Sequence, residues 1–255
     1  MFIQSPNELS YRHGVPFVIW CYWEGGEMSQ NRKKSFDFLM QNIEVPIALI
    51  TRENLSKFIK PDYPLPEAFE YISIVHRSDY IRAYLMHHYG GAWHDIKATL
   101  VSYKSVWDEF VDPKIWIIGR KEIQKGAAKV LDEYGNFIPD HYKDLIAVPS
   151  WVARPNTLLS KEILVGIENI LAQNSDCLKE NPAIHPREKK LPKGNIFKEI
   201  FNIIKFKYQK RSTKYPLEWT LFGNVFHPKI LKYKQHISFS LPVDQEKNAG
   251  IYHRN

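Results

Sequence analysis

The chain contains little cysteine and no long apolar run. Its two cysteines, Cys21 and Cys177, cannot build a disulfide framework, which excludes a small disulfide-stabilised secreted domain and indicates a reducing cytoplasm. No apolar run approaches the ~20 residues that a membrane-spanning helix needs. The apolar stretch at 15–21 is too short for a signal sequence, and the sequence shows no internal repeats or low-complexity segments. We therefore expect a cytoplasmic globular protein that does not cross a membrane.

The chain also has fewer acidic than basic side chains. Lysine and arginine number 35 against 28 aspartates and glutamates, which gives a net charge of +7. Such an excess favours anionic partners, among them nucleotides, phospholipid head groups, phosphorylated acceptors and nucleic acid. Because no recognised nucleic-acid-binding motif accompanies the charge, we do not expect nucleic acid as a partner. A basic surface that only keeps the protein soluble is the alternative.

The order of hydrophobic patterns predicts an α/β fold. A buried strand at 15–22, a helix at 29–42 capped by Ser29 and a strand at 46–50 open the chain. This is the beginning of a doubly wound domain, in which ligands lie beyond the carboxyl ends of the strands. Later patterns predict three strands at 92–100, 114–119 and 145–152, a helix at 157–172 capped by Asn156, and a helix at 196–208. We predict a core at 1–172 with a helical and aromatic C-terminal extension, 173–255, packed on it.

The segment 73–100 is the most informative part of the sequence. The polar pair Ser78-Asp79 begins a predicted helix, which ends at Gly90-Gly91 because glycine adopts the left-handed conformation at helix ends. The strand predicted next contains one acid, Asp95, in a mostly apolar run. A carboxylate there must meet a cation, a hydrogen-bond donor or water, since burying it unpaired is costly. The helix, glycine pair and strand therefore deliver an acid to a crevice.

This segment resembles the sugar-binding DXD region of bacterial capsular polysaccharide and lipopolysaccharide glycosyltransferases with the GT-A fold. Their pattern is roughly S-D-x-x-R, an apolar helix, and then G-G-x-[YW]-x-D-x-D. The matching residues here are Ser78, Asp79, Arg82, Gly90, Gly91, Trp93 and Asp95, with Lys97 in place of the second acid. The resemblance implies a GT-A-like nucleotide-sugar-binding domain, a donor such as a UDP-sugar, and a retaining hexosyltransferase. It also implies a glycan or lipid-linked oligosaccharide as acceptor.

The resemblance assigns roles to the matched residues. In the relatives, the acid and arginine that match Asp79 and Arg82 hold the sugar and ribose of the donor, and Gly90, Gly91 and Trp93 belong to the same donor region. The side chains of Asp79 and Arg82 share a helix face. The alternative to donor binding is that Asp79 is only an acid favoured at a helix N-terminus and that Arg82 pairs with it at the surface. We assign Asp95 and Lys97 as catalytic residues, on the same side of a strand as Trp93, whereas His94 faces away as an internal histidine.

The lysine at position 97 leaves the metal requirement open. In the relatives the first acid contacts ribose and metal, and the second is the firmer metal ligand. Lys97 either replaces part of the charge of Mn²⁺ or Mg²⁺, or a metal binds through Asp95, phosphates and water. A salt bridge between Asp95 and Lys97 with no catalytic role is a further alternative.

Aromatic residues at both ends of the chain are candidates for donor binding. Trp20, Tyr22 and Trp23 lie where the first strand ends and suit stacking on a base, and they resemble the family's opening pattern, roughly P-x-x-I-W-x-x-W. The tail at 215–227, with Trp219 and His227, resembles a closing segment that covers the diphosphate in some of these transferases. Packing in the core is the alternative for each of these aromatic residues.

Two wider questions follow from the sequence. The predicted helix at 196–208 combines apolar residues with Lys198, Lys205 and Lys207, so it can lie on an anionic membrane, with packing on its own domain as the alternative. This gives a possible peripheral contact at the inner face of the membrane. Because Lys97 replaces an acid, a non-catalytic nucleotide- or glycan-binding subunit of a polysaccharide assembly complex is the alternative function.

Overall fold

A computed structural model describes residues 2–128, 140–183 and 215–242. A two-stranded antiparallel ribbon, β1 (Tyr11–Arg12) and β2 (Val15–Pro16), precedes the main sheet. The main sheet contains β3 (Ile19–Trp23), β4 (Ile47–Thr51), β5 (Gly91–His94), β6 (Ile117–Lys121), β7 (Ile146–Ala153) and β8 (Ile237–Ser238). The prediction of an α/β protein is confirmed at this level: a mixed sheet flanked by helices.

The strand directions determine where a ligand can bind. The order across the sheet is β4-β3-β5-β7-β6-β8. Pairing is parallel from β4 to β3 to β5 and again from β6 to β8, while β7 is antiparallel to both of its neighbours. Among the described strands of this sheet, β7 alone is reversed, so the carboxyl ends of the other strands share one edge. That edge is where α/β domains bind ligands.

Helices cover both faces of the sheet. They are α1 (Gln30–Asn42), α2 (Ile74–His88), α3 (Leu158–Gln173), α4 (Ser175–Glu180) and α5 (Leu221–Lys232). Short 3₁₀ helices lie at Pro6–Glu8, Leu55–Phe58, Glu67–Glu70, Lys104–Val111, His141–Asp144 and Lys234–His236. The helix α1 and the 3₁₀ helix at Lys104–Val111 pack on one face, and α2, α3 and α5 pack on the other. None of the described helices is long and apolar enough to cross a membrane.

The strand β3 shows why the core has two halves. Trp20 and Tyr22 point to the face covered by α2, whereas Ile19 and Cys21 point to the face covered by α1. This is the alternation that a pleated strand requires. Because both faces are covered, the strand reads in the sequence as a continuous apolar run, which is typical of parallel strands.

Several predicted boundaries shift in the structure. Ser29 does cap α1, since its side chain accepts a hydrogen bond from the Arg32 N–H. The helix α2 begins earlier than predicted, because Ser73 caps it by accepting from the His76 N–H, and Ser78-Asp79 therefore lies inside the helix. Thr157 rather than Asn156 caps α3.

The strand predicted at 92–100 is shorter than expected and ends at His94. The neighbouring strand β7 contains Pro149, which has no N–H and so cannot continue the ladder in both directions. Its carbonyl still accepts from the Asp95 N–H at 2.8 Å. Asp95 is therefore held at the strand end and is followed by irregular chain.

The described part of the C-terminal extension contributes to the core. Phe222 and Phe226 of α5 are buried, stack with ring centroids 4.8 Å apart, and belong to the same apolar cluster as Tyr80 of α2. The predicted helix at 196–208, with Lys198, Lys205 and Lys207, lies outside the described residues.

Candidate active site at the carboxyl edge of the sheet

Two carboxylates and one guanidinium meet where β5 ends. Arg82 Nη2 donates to Asp95 Oδ1 at 3.1 Å and lies 3.8 Å from Asp79 Oδ1. Asp79 and Arg82 come from one face of α2, and Asp95 follows β5 directly. The structure thus brings together Asp79, Arg82 and Asp95, three residues that the sequence predicted as part of the site.

Arg82 is fixed from several directions. Its Nη1 donates to the Val148 carbonyl at 3.2 Å, and the guanidinium carbon lies 4.7 Å from the ring centroid of Trp93 and 5.0 Å from that of Phe222. Arg82 is only 5% exposed, and its Nε is a buried donor without a hydrogen-bond partner in the structure. Such a cation, held between two rings, cannot swing away from Asp95 without losing these contacts.

Asp95 is the most exposed member of the group. Its side chain is 31% exposed, whereas that of Arg82 is 6% exposed. Its Oδ1 accepts from Arg82 and also from Trp93 Nε1 at 3.0 Å. Burial opposes its ionisation, but the nearby charges of Arg82 and Lys97 and the Trp93 hydrogen bond together hold the pKa of Asp95 below its usual value. Asp95 therefore presents a stable carboxylate at the sheet edge.

Asp79 has the opposite environment. It is 8% exposed, and its Oδ2 accepts from the Phe222 N–H at 3.1 Å. Burial raises the pKa of Asp79 to about 6, and the negative charge of Asp95 adds to this, although Arg82 and the Phe222 N–H act against it. The two acids are therefore chemically distinct, as one stays ionised and the other titrates near neutrality.

The glycine pair fixes the turn that leads into β5. Gly90 and Gly91 have φ of +74° and +87°, a region that favours glycine. A Cβ on Gly90 would lie 2.6 Å from Pro155 Cδ and 2.8 Å from the Ala153 carbonyl oxygen. Trp20 Nε1 donates to the Gly90 carbonyl at 2.7 Å. These residues support the site and leave no room for a side chain.

The three aromatic residues at the end of β3 differ in exposure. Trp20 is fully buried, with Phe58 and Tyr89 as ring neighbours, so it offers no surface for a base, and the core-packing alternative applies to it. Tyr22 is nearly buried and its hydroxyl donates to Glu24 at 2.6 Å. Trp23, at the strand end, is the partly exposed member.

The residues around Asp95 answer two further predictions. His94 is an internal histidine with both ring nitrogens engaged, by the Asp95 carbonyl and by Thr99 Oγ1. Burial lowers its pKa to about 4. Lys97 is partly buried and its charge acts on Asp95, but among the described ion pairs Asp95 is matched with Arg82 and not with Lys97. The Asp95–Lys97 salt bridge, the non-catalytic alternative for Lys97, is therefore not among the described ion pairs.

The two tail residues occupy different places. His227 is fully buried in α5, where its Nδ1 accepts from the Ala128 N–H at 2.9 Å and its Nε2 donates to the Ile146 carbonyl at 3.2 Å. Burial lowers the pKa of His227 to about 4. Direct contact with a diphosphate is therefore not open to it, contrary to expectation. Trp219 is 40% exposed and lies just before α5.

Three charged residues near this edge were missed by the sequence analysis. Arg32, in the first turn of α1, donates through Nη1 to the Ile96 carbonyl. Arg120 lies on β6, and Glu122 follows that strand with a nearly buried carboxylate whose pKa burial raises. The position of Arg32 could have been predicted, because it lies in the helix that follows the first strand of a doubly wound pattern. The positions of Arg120 and Glu122 could not, because they depend on the reversed strand β7.

Among the described residues, the side chains at this edge do not form a donor set that fits Mn²⁺ or Mg²⁺. Across the described residues, no three His, Cys, Asp or Glu side chains form a group that could hold a metal. Of the two carboxylates, Asp79 is buried against the Phe222 N–H and Asp95 is already paired with Arg82. Lys97 adds a positive charge that acts on Asp95. These metals require oxygen ligands and are repelled by neighbouring cations.

Comparisons with known proteins place the chain in a family. No curated protein matches it. The chain is similar to the solved structure of the "PaToxG Glycosyltransferase", with 13% sequence identity, an alignment that covers 88% of each chain and a TM-score of 0.38. The family model of the capsular polysaccharide synthesis protein matches residues 3–148, more than half of the chain, and this range contains Asp79, Arg82 and Asp95. The chain therefore belongs to the capsular polysaccharide synthesis protein family.

Proposed function

We propose that this protein is a glycosyltransferase. It transfers a sugar from a nucleotide-sugar, a UDP-sugar in the first instance, to a bacterial surface glycan such as a capsule, O-antigen or lipopolysaccharide. The observation that carries the proposal is the meeting of Asp79, Arg82 and Asp95 at the carboxyl edge of the sheet, in a member of a capsular polysaccharide synthesis family. These are the residues through which the sequence resembles sugar transferases.

The geometry suits recognition of a sugar and a ribose. Hydroxyl groups of a sugar are bound by carboxylates and guanidinium donors at fixed positions. Asp95 offers a partly exposed carboxylate, and Arg82 holds it in place from behind. In the proposed complex, Asp95 and Arg82 contact the donor's ribose and sugar, and Asp79 fixes the orientation of Arg82.

The other predicted residues take supporting places in this proposal. In this proposal Trp23, partly exposed at the end of β3, lies beside the nucleotide base, and Trp219, exposed just before α5, covers the diphosphate. Trp20, Gly90, Gly91 and Trp93 shape the wall behind the donor and do not contact it through exposed surface. The proposed site thus consists of the partly exposed Asp95 carboxylate, supported by buried aromatic side chains.

The transfer itself breaks the bond between sugar C1 and the diphosphate oxygen. The electron pair stays on that oxygen, while the acceptor hydroxyl oxygen forms the new bond to C1 and its proton passes to water. The leaving nucleoside diphosphate gains negative charge, so positive charge near it lowers the barrier. Retention of configuration at C1 is part of the proposal through the family resemblance, and no residue is assigned as a nucleophile.

A second candidate is a non-catalytic nucleotide- or glycan-binding subunit of a polysaccharide assembly complex. The lysine at position 97, where related transferases carry an acid, favours it. Both candidates bind a nucleotide or a sugar at the same edge, but only the first cleaves the donor.

The experiment is a panel of nucleotide-sugars tested for thermal stabilisation and for slow hydrolysis, with and without Mn²⁺. We expect one UDP-sugar to raise the melting temperature and to release UDP, and Asp95→Asn to abolish the release. Asp108→Asn, an exposed acid on the 3₁₀ helix at Lys104–Val111, is the matched control and should behave as the parent. Stabilisation without hydrolysis supports the binding subunit, and no response to any donor contradicts both candidates.

A further inference from the structure

Several basic side chains surround the carboxyl end of β5. Arg82 contacts Asp95 directly, and Lys97 follows two residues later. Arg120 on β6 is close enough for its charge to act on both side chains: it adds to the burial that lowers the pKa of His94 and opposes the burial that raises the pKa of Glu122. Arg32 reaches the same segment from α1. The edge that would meet an anionic leaving group is therefore rich in cations.

Arg32 and Arg82 reach the segment 95–97 from opposite faces of the sheet. Arg82 comes from α2, on the face that contains Trp93. Arg32 comes from α1, and its Nη1 donates to the carbonyl of Ile96, which belongs to the apolar cluster on the other face. The carbonyl of Ile96 is in the peptide that joins it to Lys97. Arg32 is thus bonded to the peptide that carries Lys97.

A second contact holds Arg32 at this place. Its guanidinium carbon lies 5.6 Å from the ring centroid of Trp23, at the end of β3. A guanidinium has five N–H donors in a planar fork that matches phosphate oxygens. The ring and the carbonyl orient the group between the end of β3 and the segment 95–97. This is the space between the proposed positions of the base and of the sugar, where a diphosphate would lie.

We infer that Arg32 and Lys97 together supply the positive charge that binds the diphosphate of the donor, in place of a divalent metal. The inference rests on the proposed function. Lys97 follows Asp95 by two residues, and Arg32 supplies a second positive charge beside this segment that the sequence pattern alone did not reveal. The donor set points the same way, because Asp95 is already paired with Arg82, and a divalent ion would add positive charge beside Arg32, Arg82 and Lys97.

The test measures the affinity of the full chain for UDP and for GDP by calorimetry, once with chelator and once with Mn²⁺. We expect the diphosphate that binds more tightly to have the same affinity, within twofold, with chelator and with Mn²⁺. Arg32→Gln and Lys97→Met should each weaken it about tenfold to a hundredfold, as removal of a charge-assisted hydrogen bond does. Lys34→Gln, an exposed residue of α1 near Arg32, is the charge-matched control and should leave the affinity unchanged.

The possible failures are distinguishable. Binding that is lost with chelator and restored by Mn²⁺ overturns the inference and leaves the proposed function standing, as does parental affinity in both variants. Failure of both diphosphates to bind in either buffer contradicts the proposed function itself, and the inference with it. The chelator comparison on the parent protein decides whether diphosphate binding needs a metal even if a variant does not fold.

Discussion

The buried carboxyl of Asp79 should make the protein less stable as the pH rises through about 6. Burial raises its pKa from 3.8 to about 6 in the folded state. Because the folded pKa exceeds the unfolded one, folding favours the protonated acid. The associated stability is fully present below the unfolded pKa and is lost as the pH rises through the folded pKa. A shift of about two units corresponds to about 3 kcal/mol.

The substitution Asp79→Asn isolates this effect. An asparagine oxygen can still accept from the Phe222 N–H, but the side chain no longer ionises. We expect the variant to be more stable than the parent by about 2–3 kcal/mol at pH 8, with the difference shrinking toward zero near pH 4. Donor turnover should fall, because the carboxylate that fixes Arg82 is gone.

Urea denaturation followed by tryptophan fluorescence at pH 4.5, 6 and 8 measures the free energy of unfolding. His94 and His227 have lowered pKa values in the folded state, so their contribution is lost as the pH falls below their unfolded value near 6.5. This contribution cancels in the difference between variant and parent. Asp37→Asn, an exposed acid on α1, is the control and should show no such difference. A variant less stable than the parent at pH 8, with an unchanged pH slope, would refute the reasoning.

Three further substitutions test other parts of the site. Asp95→Asn should abolish donor hydrolysis with little change in melting temperature, since its side chain is partly exposed, and parental turnover would show that the donor site lies elsewhere. Arg82→Met should destabilise the fold by about 3–5 kcal/mol at pH 8, because it leaves the carboxylates of Asp79 and Asp95 without their cation. The loss should be smaller at pH 5, and equal losses at both pH values would contradict this explanation. Gly90→Ala should cost about 2–4 kcal/mol by chemical denaturation, from its left-handed φ and the contact with Pro155. The control Gly223→Ala, where a Cβ meets nothing closer than 3.8 Å, should be near neutral.

The local parts of the fold were predictable because each has a signal within a few residues. The apolar run of β3, the Ser29 cap and the glycine pair before β5 were found in this way. The start of α2 was misplaced because Ser73 and Ser78 are both possible caps, and only burial of the first turn against Tyr215 distinguishes them. Sequence spacing does not contain that distant contact.

The site was predictable in its members but not in its pairing. Spacing put Asp95 and Lys97 on one side of a strand, yet the strand ends at His94, so the alternation stops before either residue. The ion pair of Asp95 therefore depends on tertiary structure, where Arg82 is the near cation. Trp20 could not be separated from Trp23 by pattern, because both belong to one aromatic run and only the covering helices decide which ring is buried.

The site is completed by a part of the chain far from the sequence motif. The family match ends at 148, whereas Asp79 is bonded by the N–H of Phe222 and Arg82 packs on the Phe222 ring. The carboxylate of Asp79 and the guanidinium of Arg82 are therefore oriented by α5 as much as by α2. Without α5, Asp79 would lose both a donor and the burial that raises its pKa, and Arg82 would lose one of the two rings that hold it. The N-terminal sheet supplies the position of Asp95, and the C-terminal helix supplies the fixed geometry of the groups that meet it.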